Sequence, residues 1–428
     1  MDDRSLLSLF QILGEGVELQ NNAMRGLCYW AALVVLSACA DHTVVMPLAT
    51  PAGANSSSPN ISADVTGQPV LSWQRRQQDV TILEYSTLSK NGWSEPVEVA
   101  RGRDWFVNWA DVPAVQPVTD SFWAAHYLQR TPGGKYAYDI RLRLSNDGGK
   151  NWRDAGSPHL DGTPTEHGFV SLYANDDTLG IIWLDGREMS THGDAQPHNT
   201  THHGGMTLRA ASMDHQGRFA HRRQVDALVC DCCQTAAVMT QDNPLVVYRD
   251  RTETELRDIA SSSWQQGAWT TPKPVGADGW QINGCPVNGP ALVARQNDVA
   301  AVWFSGAGGE SQIFLSRSSD GGATFEDKLK VNIRKTLGRV TAVMYPDRSI
   351  LVAWLRQDDS ETAKIVARYI GSDNNLSPIF ELVSVSPERL SGFPKLALLG
   401  TQAVLAWTDQ SRAKPQVSTL MVDVDAVK

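Results

Sequence analysis

Short runs of apolar residues, each ending in or near an aromatic side chain, recur along the chain from residue 70 onward. Apolar runs of this length between polar segments are typical of buried β-strands. Successive aromatics lie 51 to 65 residues apart, an interval that predicts four-stranded units. Such a unit cannot bury its faces alone, so it must stack against its neighbours in a closed ring. The aromatics are Trp73, Tyr127, Trp183, Tyr248, Trp303, Trp354 and Trp407.

The repeat predicts an all-β fold in which residues 65–428 form a single β-propeller of four-stranded blades. Seven aromatic runs favour seven blades, and a ring of six is the alternative if the terminal units merge. The longest interval, between Trp183 and Tyr248, contains an insertion from Glu188 to His203. The composition is that of a globular protein, since 42% of the residues are hydrophobic and 20% are charged.

A second pattern recurs in phase with the first. Residues 145–152 read SNDGGKNW and residues 318–325 read SSDGGATF. In a hairpin turn the Ser and Asp oxygens can accept backbone N–H groups, and Gly supplies a positive φ. Both segments resemble the Asp box, S-x-D-x-G-x-T-W/F, of the sialidase-like (BNR-repeat) propellers. Weaker copies lie at Ser89–Trp93, Ser212–Phe219 and Ser263–Trp269.

The blade geometry predicts which face carries the chemistry. If strands a, b, c and d run outward from the axis, the a–b and c–d turns lie on one face. The b–c loops and d–a connections lie on the other, which we call the funnel face, and binding residues concentrate in such loops. Candidate substrate-binding residues there are Trp109, Glu166, His167, Asp185, Tyr248, Asp250, Trp280 and Asn288, and candidate catalytic residues are Asp111, Arg76, Arg187, Arg249, Arg251 and Arg339.

These residue types suit an anionic sugar, because Arg pairs bidentately with a carboxylate and aromatic faces stack on sugar rings. The alternative is that individual Arg–Asp pairs only join neighbouring blades. The resemblance to sialidases implies a Tyr nucleophile paired with a Glu, an Asp acid/base and three Arg that hold the substrate carboxylate. On that pattern Asp111 is the acid/base, while Arg249 and Arg339 are two of the three Arg.

The nucleophilic unit departs from the sialidase pattern. The family Tyr corresponds to Phe393 in Ser391-Gly392-Phe393, and Phe has no hydroxyl. The paired Glu is expected at residues 233–235, where no carboxylate stands, and the first Arg motif is replaced by the segment 73–76. A retaining sialidase mechanism is therefore disfavoured, with Tyr345 as an alternative nucleophile.

Four cysteines, Cys230, Cys232, Cys233 and Cys285, are expected on the funnel face. In an exported protein they favour disulfides, with three possible pairings. The alternative is a soft-metal site. In an extended segment Cys230 and Cys232 would point to one side and Cys233 to the other. Imidazoles for such a site could come from the insertion, which contains His192, His198, His202 and His203.

The start of the chain indicates export. A basic residue, a short apolar run and Leu36-Ser37-Ala38-Cys39 resemble a bacterial lipoprotein signal, so residues 1–39 are expected to be a signal region with Met24 as the true start. Cys39 would be lipidated and would anchor the protein in the cell envelope, on the periplasmic side or at the outer membrane. Residues 40–64, rich in Pro, Ala, Ser and Asn, are expected to form a flexible tether.

The charge limits the choice of partners. A net charge of -9 argues against nucleic acid, whose binders usually carry a basic field. We therefore expect a monomeric, lipid-anchored propeller that acts on or binds glycans without a cofactor. If it is an enzyme, it would be an exo-sialidase-like glycoside hydrolase. The alternative is a non-catalytic envelope protein that binds a protein partner or a soft metal through its Cys and His loops.

Overall fold

The computed structural model describes residues 44–191, 205–357 and 362–428. The expected signal region with Cys39, and the four histidines of the insertion, lie outside these ranges. No helix in the described part is long and apolar enough to cross a membrane.

The described residues form seven antiparallel sheets, which confirms a propeller of seven blades. Blade 1 contains β2 to β6, blade 2 β7 to β10, blade 3 β11 to β14, blade 4 β15 to β19, blade 5 β20 to β23 and blade 6 β24 to β27, while blade 7 contains β28 to β30 and β1. In chain order the strands are β1 Val45–Leu48, β2 Ser56–Ala63, β3 Pro69–Gln77, β4 Val80–Ser89, β5 Gly92–Trp93, β6 Val97–Gly102, β7 Ala114–Pro117, β8 Trp123–Arg130, β9 Tyr138–Ser145, β10 Arg153–Gly156, β11 His167–Asn175, β12 Thr178–Asp185, β13 Met206–Met213, β14 Phe219–Val229, β15 Ala236–Met239, β16 Pro244–Arg249, β17 Ile259–Gln265, β18 Ala268–Trp269, β19 Lys273–Gly276, β20 Ala291–Arg295, β21 Asp298–Ser305, β22 Gln312–Ser318, β23 Leu329–Lys330, β24 Thr336–Met344, β25 Ile350–Gln357, β26 Ala363–Ile370, β27 Phe380–Val385, β28 Lys395–Leu399, β29 Gln402–Asp409 and β30 Gln416–Val422. Short 3₁₀ helices occupy Arg187–Thr191, Ala307–Gly309, Arg389–Ser391 and Val424–Ala426.

The repeating aromatic side chain lies in the second strand of every blade. Five of the seven are among the largest fully buried side chains: Trp73, Trp183, Tyr248, Trp303 and Trp354. Apolar clusters join each blade to its neighbours, so burial against the adjacent sheet is what spaces the aromatics at blade intervals.

The ring is closed by strand β1. It pairs antiparallel with β30, from Val45 opposite Val422 to Leu48 opposite Thr419, and so forms the outer strand of blade 7. The innermost strand of blade 1, β2, follows at once. Every blade therefore has a full set of four strand positions, and the N-terminal strand completes the sheet that the C-terminal strands begin.

The prediction of a flexible tether over residues 40–64 is wrong for the described residues of that range. Strands β1 and β2 lie there, and the propeller begins ahead of residue 65. The polar side chains of β2 are satisfied within the fold: the Ser62 hydroxyl donates to the Val115 carbonyl at 2.7 Å, and the Ser56 hydroxyl accepts the Val417 N–H at 2.9 Å. Inner strands face the central channel, so a Ser-rich segment forms one without burying a large apolar surface.

The two best Ser-x-Asp turns connect strands c and d, β9 to β10 and β22 to β23. In the first, the Ser145 hydroxyl accepts the Gly149 N–H at 2.9 Å, and the Asp147 carboxylate accepts the Asn151 N–H at 2.9 Å. The second repeats these bonds with Ser318 and Asp320. Both turns therefore lie on the face opposite the funnel, as the sequence predicted.

Candidate active site

Two polar clusters lie on opposite sides of the same pair of segments at the funnel end of blades 2 and 3. Tyr138 opens β9, and Glu166 lies in the connection before β11. The two segments form a parallel bridge there, with the Tyr138 N–H donating to the Thr165 carbonyl at 3.2 Å. Successive side chains of an extended segment alternate in direction. Tyr138 and Glu166 therefore make one cluster, while Asp139 and His167 belong to another.

The first group, which we call the acid cluster, consists of Asp111, Tyr138 and Glu166. The Tyr138 hydroxyl lies 2.5 Å from Glu166 Oε1 and 3.2 Å from Asp111 Oδ2. The backbone N–H of Phe169 donates to Asp111 Oδ1 at 2.8 Å. Gly168 makes room for this arrangement, because a Cβ at that position would lie 2.0 Å from Asp111 Oδ2. A phenol thus joins two carboxyl groups in a fixed geometry.

Burial gives the acid cluster its chemistry. It raises the pKa of Asp111 to about 7, against the opposing effect of the Phe169 N–H and with a further increase from the Glu166 charge. Burial likewise raises the pKa of Glu166 to about 7. Burial and the two neighbouring carboxylates also raise the pKa of Tyr138. Near neutral pH the cluster therefore retains protons that exposed carboxylates would have lost, as a general acid requires.

The members of the acid cluster differ in accessibility. Tyr138 and Asp111 are 0% and 2% exposed, whereas Glu166 is half-buried. Asp111 also lines a central cavity of about 260 Å³ between the inner strands. Lys395 lines the same cavity, and burial lowers its pKa to about 8. Glu166 is thus the most exposed member of the acid cluster, while Asp111 borders the central cavity.

The second cluster is built on stacked imidazoles. The His159 and His167 rings lie 3.8 Å apart and parallel, and His167 Nε2 is 3.1 Å from Asp161 Oδ2. Burial lowers the pKa of His159 to about 4, so its ring is neutral at physiological pH. Donor atoms of Asp139, His159 and His167, and likewise of Asp161, His167 and Asp185, lie within 4.8 Å of one another and could hold a metal ion. The predicted residues His167 and Asp185 thus meet, but on the far side of Glu166.

The four cysteines come together beside blade 4, and all four are free thiols. The expectation that Cys230 and Cys233 point to opposite sides is wrong. The chain turns at Asp231 and Cys232 instead of continuing extended, which brings Cys233 Sγ to 3.4 Å from Cys230 Sγ.

Two of the predicted arginines are bound by the scaffold. Arg249 donates to the carbonyls of Asn288, Arg257 and Phe304 at 3.0, 2.7 and 2.6 Å, and it lies over the Trp280 ring. Carbonyl oxygens therefore occupy the guanidinium that a substrate carboxylate would need. Trp280 is itself buried and is not a free platform for a sugar.

On the funnel side of blade 6, Arg339 is likewise held by backbone carbonyls. The Arg339 guanidinium donates to the Glu388 and Gly392 carbonyls at 3.1 and 3.2 Å, and the Asn288 side chain accepts the Arg339 N–H at 2.7 Å. Arg339 also lies over the Trp109 ring. These contacts join blade 6 to the connections on either side of it.

The other candidate arginines occupy three different settings. Arg76 is exposed at the β3–β4 hairpin and donates to the Gln78 carbonyl. Arg187 pairs bidentately with Asp185, both bonds being 2.7 Å. Arg251 contacts Glu255 at 2.6 Å and Asp231 at 3.2 Å. The structure thus does not bring the predicted arginines together into one clamp.

Tyr248 and Asp250 form a separate contact between blades 3 and 4. The Tyr248 hydroxyl donates to Asp226 at 2.5 Å. Burial, and then the charge of Asp226, raise the pKa of Asp250 to about 7.

Sequence reasoning missed Tyr138, the tyrosine of the acid cluster, because it expected a tyrosine at the position of Phe393. Phe393 is buried and stacks on Trp109, with ring centroids 5.7 Å apart. The prediction of Tyr345 as an alternative nucleophile is wrong. Tyr345 follows the inner strand β24 and lies buried at the face opposite the funnel. Tyr138 ends a b–c loop, the loop class expected to carry the site, and this position was the available signal.

No protein-family model matches this chain, and no curated protein matches it in sequence. Among solved structures, polysaccharide lyase Uly1 matches with a TM-score of 0.51 and 10% identity, over 86% of this chain and 90% of the lyase. Hadza microbial sialidase Hz136 matches with a TM-score of 0.48 and 12% identity, over 82% and 75%. The α-L-arabinanase of Penicillium chrysogenum, complexed with arabinobiose, gives 0.45 and 14%, over 90% and 98%. The likeness to the lyase shows a shared fold.

Proposed function

We propose that this chain cleaves glycosidic bonds at its funnel face, with Glu166 as the general acid. The observation that carries the proposal is the Tyr138 hydroxyl held between two carboxyl groups whose pKa burial raises to about 7. A glycosidase needs a carboxylic acid that is still protonated near neutral pH, and this cluster meets that requirement. Uly1, which shares the fold, is by name a polysaccharide lyase, and glycans are the substrate class we propose.

In the proposed reaction Glu166 protonates the glycosidic oxygen as the C–O bond breaks. Tyr138 passes a proton to Glu166 and takes one from Asp111, so both act as positioning residues that restore the acid. Asp231, which affects the pKa of Glu166 through its charge and is ion-paired with Arg251, is the second carboxylate. It activates the water that adds to the sugar, and the proton of that water returns to the carboxyl groups.

The proposed substrate is not held by an arginine clamp of the exo-sialidase kind. Carbonyl oxygens engage Arg249 and Arg339, and Arg187 is paired with Asp185. Breaking such buried bonds to bind a carboxylate would leave acceptors unsatisfied, at about 1–3 kcal/mol each. We therefore propose a glycan bound mainly through hydroxyl groups.

The test is the Glu166→Gln variant, assayed on fluorogenic α-sialosides, α-L-arabinofuranosides and β-glucuronides. We expect the wild type to turn over at least one of the last two, and the variant to lose about 10²- to 10⁴-fold in kcat, the range of general acid catalysis. The matched control is Glu253→Gln, an exposed carboxylate on a funnel-face loop of blade 4. No wild-type turnover, or equal rates in Glu166→Gln and wild type, would contradict the proposal. Turnover of the sialoside alone would restore the sialidase interpretation.

We also propose that Cys39 carries a lipid that anchors the protein in the cell envelope, on the strength of the Leu36–Cys39 sequence. Labelled palmitate should enter the wild type and not the Cys39→Ser variant. The variant should leave the membrane fraction. Equal labelling of both proteins would exclude the anchor.

A further inference from the structure

Four thiols meet at the funnel end of blade 4, where the chain leaves β14 and turns before β15. The Sγ atoms of Cys230, Cys232 and Cys233 lie within 4.8 Å of one another. Cys285, from the connection between blades 4 and 5, joins them through an interaction with the Cys232 thiol. Cys230 and Cys233 also have the C-x2-C spacing of many zinc sites.

The surroundings suit thiolates rather than thiols. The Arg257 guanidinium, held by Glu255 at 2.7 Å, points a nitrogen at Cys230 Sγ, 3.2 Å away. A buried cationic donor aimed at sulfur stabilises an anionic sulfur, and a disulfide sulfur would be a poor acceptor for it.

We propose that Cys230, Cys232, Cys233 and Cys285 bind one soft d¹⁰ metal ion, Zn²⁺ or Cu⁺. The donors are sulfur, which selects soft ions over Mg²⁺ or Ca²⁺. Two sulfurs bound to one zinc at 2.3 Å each lie roughly 3.8 Å apart in a tetrahedron, close to the 3.4 Å between Cys230 and Cys233.

The four cysteines differ in exposure, so the cluster is buried on one side and open to solvent on the other. Cys230 and Cys233 are 0% and 2% exposed, while Cys285 is exposed. An ion can therefore enter beside Cys285 and be held from behind by the buried pair. Arg257 supplies the second-shell hydrogen bond to sulfur that tunes such sites, and its charge offsets part of the negative charge of several thiolates.

The test begins with the metal content of the full chain isolated from the cell envelope, measured by mass spectrometry. We expect one Zn²⁺ or Cu⁺ per chain. The protein stripped with a chelator should rebind one equivalent of added Zn²⁺, or of Cu⁺ in competition with a chromogenic ligand, and the ion found in the isolated protein identifies the native metal. Co²⁺ in the same site should give a thiolate charge-transfer band.

Variants separate the ligands from their surroundings. Cys233→Ser should abolish binding, and the exposed Cys285→Ser should weaken it at least tenfold without loss of the fold. Asp231→Asn, in the same turn but without sulfur, should keep one metal per chain. Alkylation before reduction, mapped by peptide mass spectrometry, must find all four thiols unpaired once the metal is removed. Disulfides among them, or failure of the reduced protein to bind either ion, would overturn the proposal.

Discussion

Aspartates on the two faces of the ring are chemically opposite. On the turn face, the N–H and side-chain amide of Asn151 hold Asp147 as a carboxylate and lower its pKa to about 2. At the funnel face, burial raises the pKa of Asp111 to about 7. The first carboxylate is exposed and satisfied by the donors of its own turn, while the second is enclosed with another acid.

The comparison shows why the repeated motif is a poor guide to the site. A carboxylate fixed by its own turn stabilises the fold and has no proton to give near neutral pH. A carboxyl group kept in an unfavourable environment is the one that can do acid–base chemistry. The Ser-x-Asp turns therefore identify the scaffold, and the acid cluster lies where no repeated motif occurs.

Replacing Asp111 should have the largest effect on stability. A folded pKa of about 7 against an unfolded value of 3.8 means that the contribution of Asp111 is favourable below pH 4 and is lost as pH rises to 7. The difference amounts to about 4 kcal/mol. Asp111→Asn should thus gain stability relative to wild type between pH 5 and pH 8, measured by urea unfolding.

The matched control for that experiment is Asp147→Asn. Its folded pKa is below the unfolded value, so the stability it contributes is present above pH 4 and lost as pH falls through 2. The two variants should therefore diverge from wild type in opposite pH ranges. A gain in Asp111→Asn that is the same at pH 5 and pH 8 would show that Asp111 titrates normally and would remove the contrast between the faces.

Gly168→Ala should have the second-largest effect, about 2 kcal/mol of destabilisation, because the added methyl meets Asp111 and Tyr138. It should also lower the proposed glycosidase activity by displacing the Asp111 carboxylate. Gly284→Ala, where nothing lies within 4 Å of the added carbon, is the control and should be nearly neutral. Equal melting temperatures for the two variants would mean that the acid cluster is not tightly packed.

Ser318→Ala should have the smallest effect, about 1 kcal/mol, because it removes the acceptor of the buried Gly322 N–H. Activity should be unchanged, since the turn lies on the face away from the acid cluster. Ser319→Ala alters the exposed neighbour in the same turn and should change neither property. A loss of activity in Ser318→Ala with an intact fold would show that the two faces are coupled.

The fold could be predicted because its signal is local and repeated. Trp73, Trp303 and Trp354 recur at blade intervals, and each is buried in a second strand. The prediction of a flexible tether was wrong because it rested on composition. Composition indicates only how much apolar surface a segment can bury. Strand β2 is held instead by backbone pairing and by hydroxyls such as Ser62.

The site was predicted only in part because its contacts are between blades. Asp111 and Glu166 were expected on the funnel face, but Tyr138, which joins them, stands on a third connection and has no motif around it. Arg249 illustrates the reverse error, since its sequence context suggests a ligand for a carboxylate while three carbonyls already hold it. The four cysteines were expected on the funnel face, but the turn at Asp231 and Cys232 that brings Cys233 back to Cys230 was not predicted.

The pairing of β1 with β30 has a consequence for the order in which the protein can fold. Val45 pairs with Val422, so β1 cannot pair until the chain has been made as far as β30. Contacts this distant in sequence form slowly, and an unpaired strand edge invites association with other chains in the meantime. Blades 1 to 6 can assemble in sequence, but the sheet of blade 7 is complete only when β1 pairs with β30. Loss of residues 419–428 would therefore remove most of β30 and leave β1 without the strand that it pairs with.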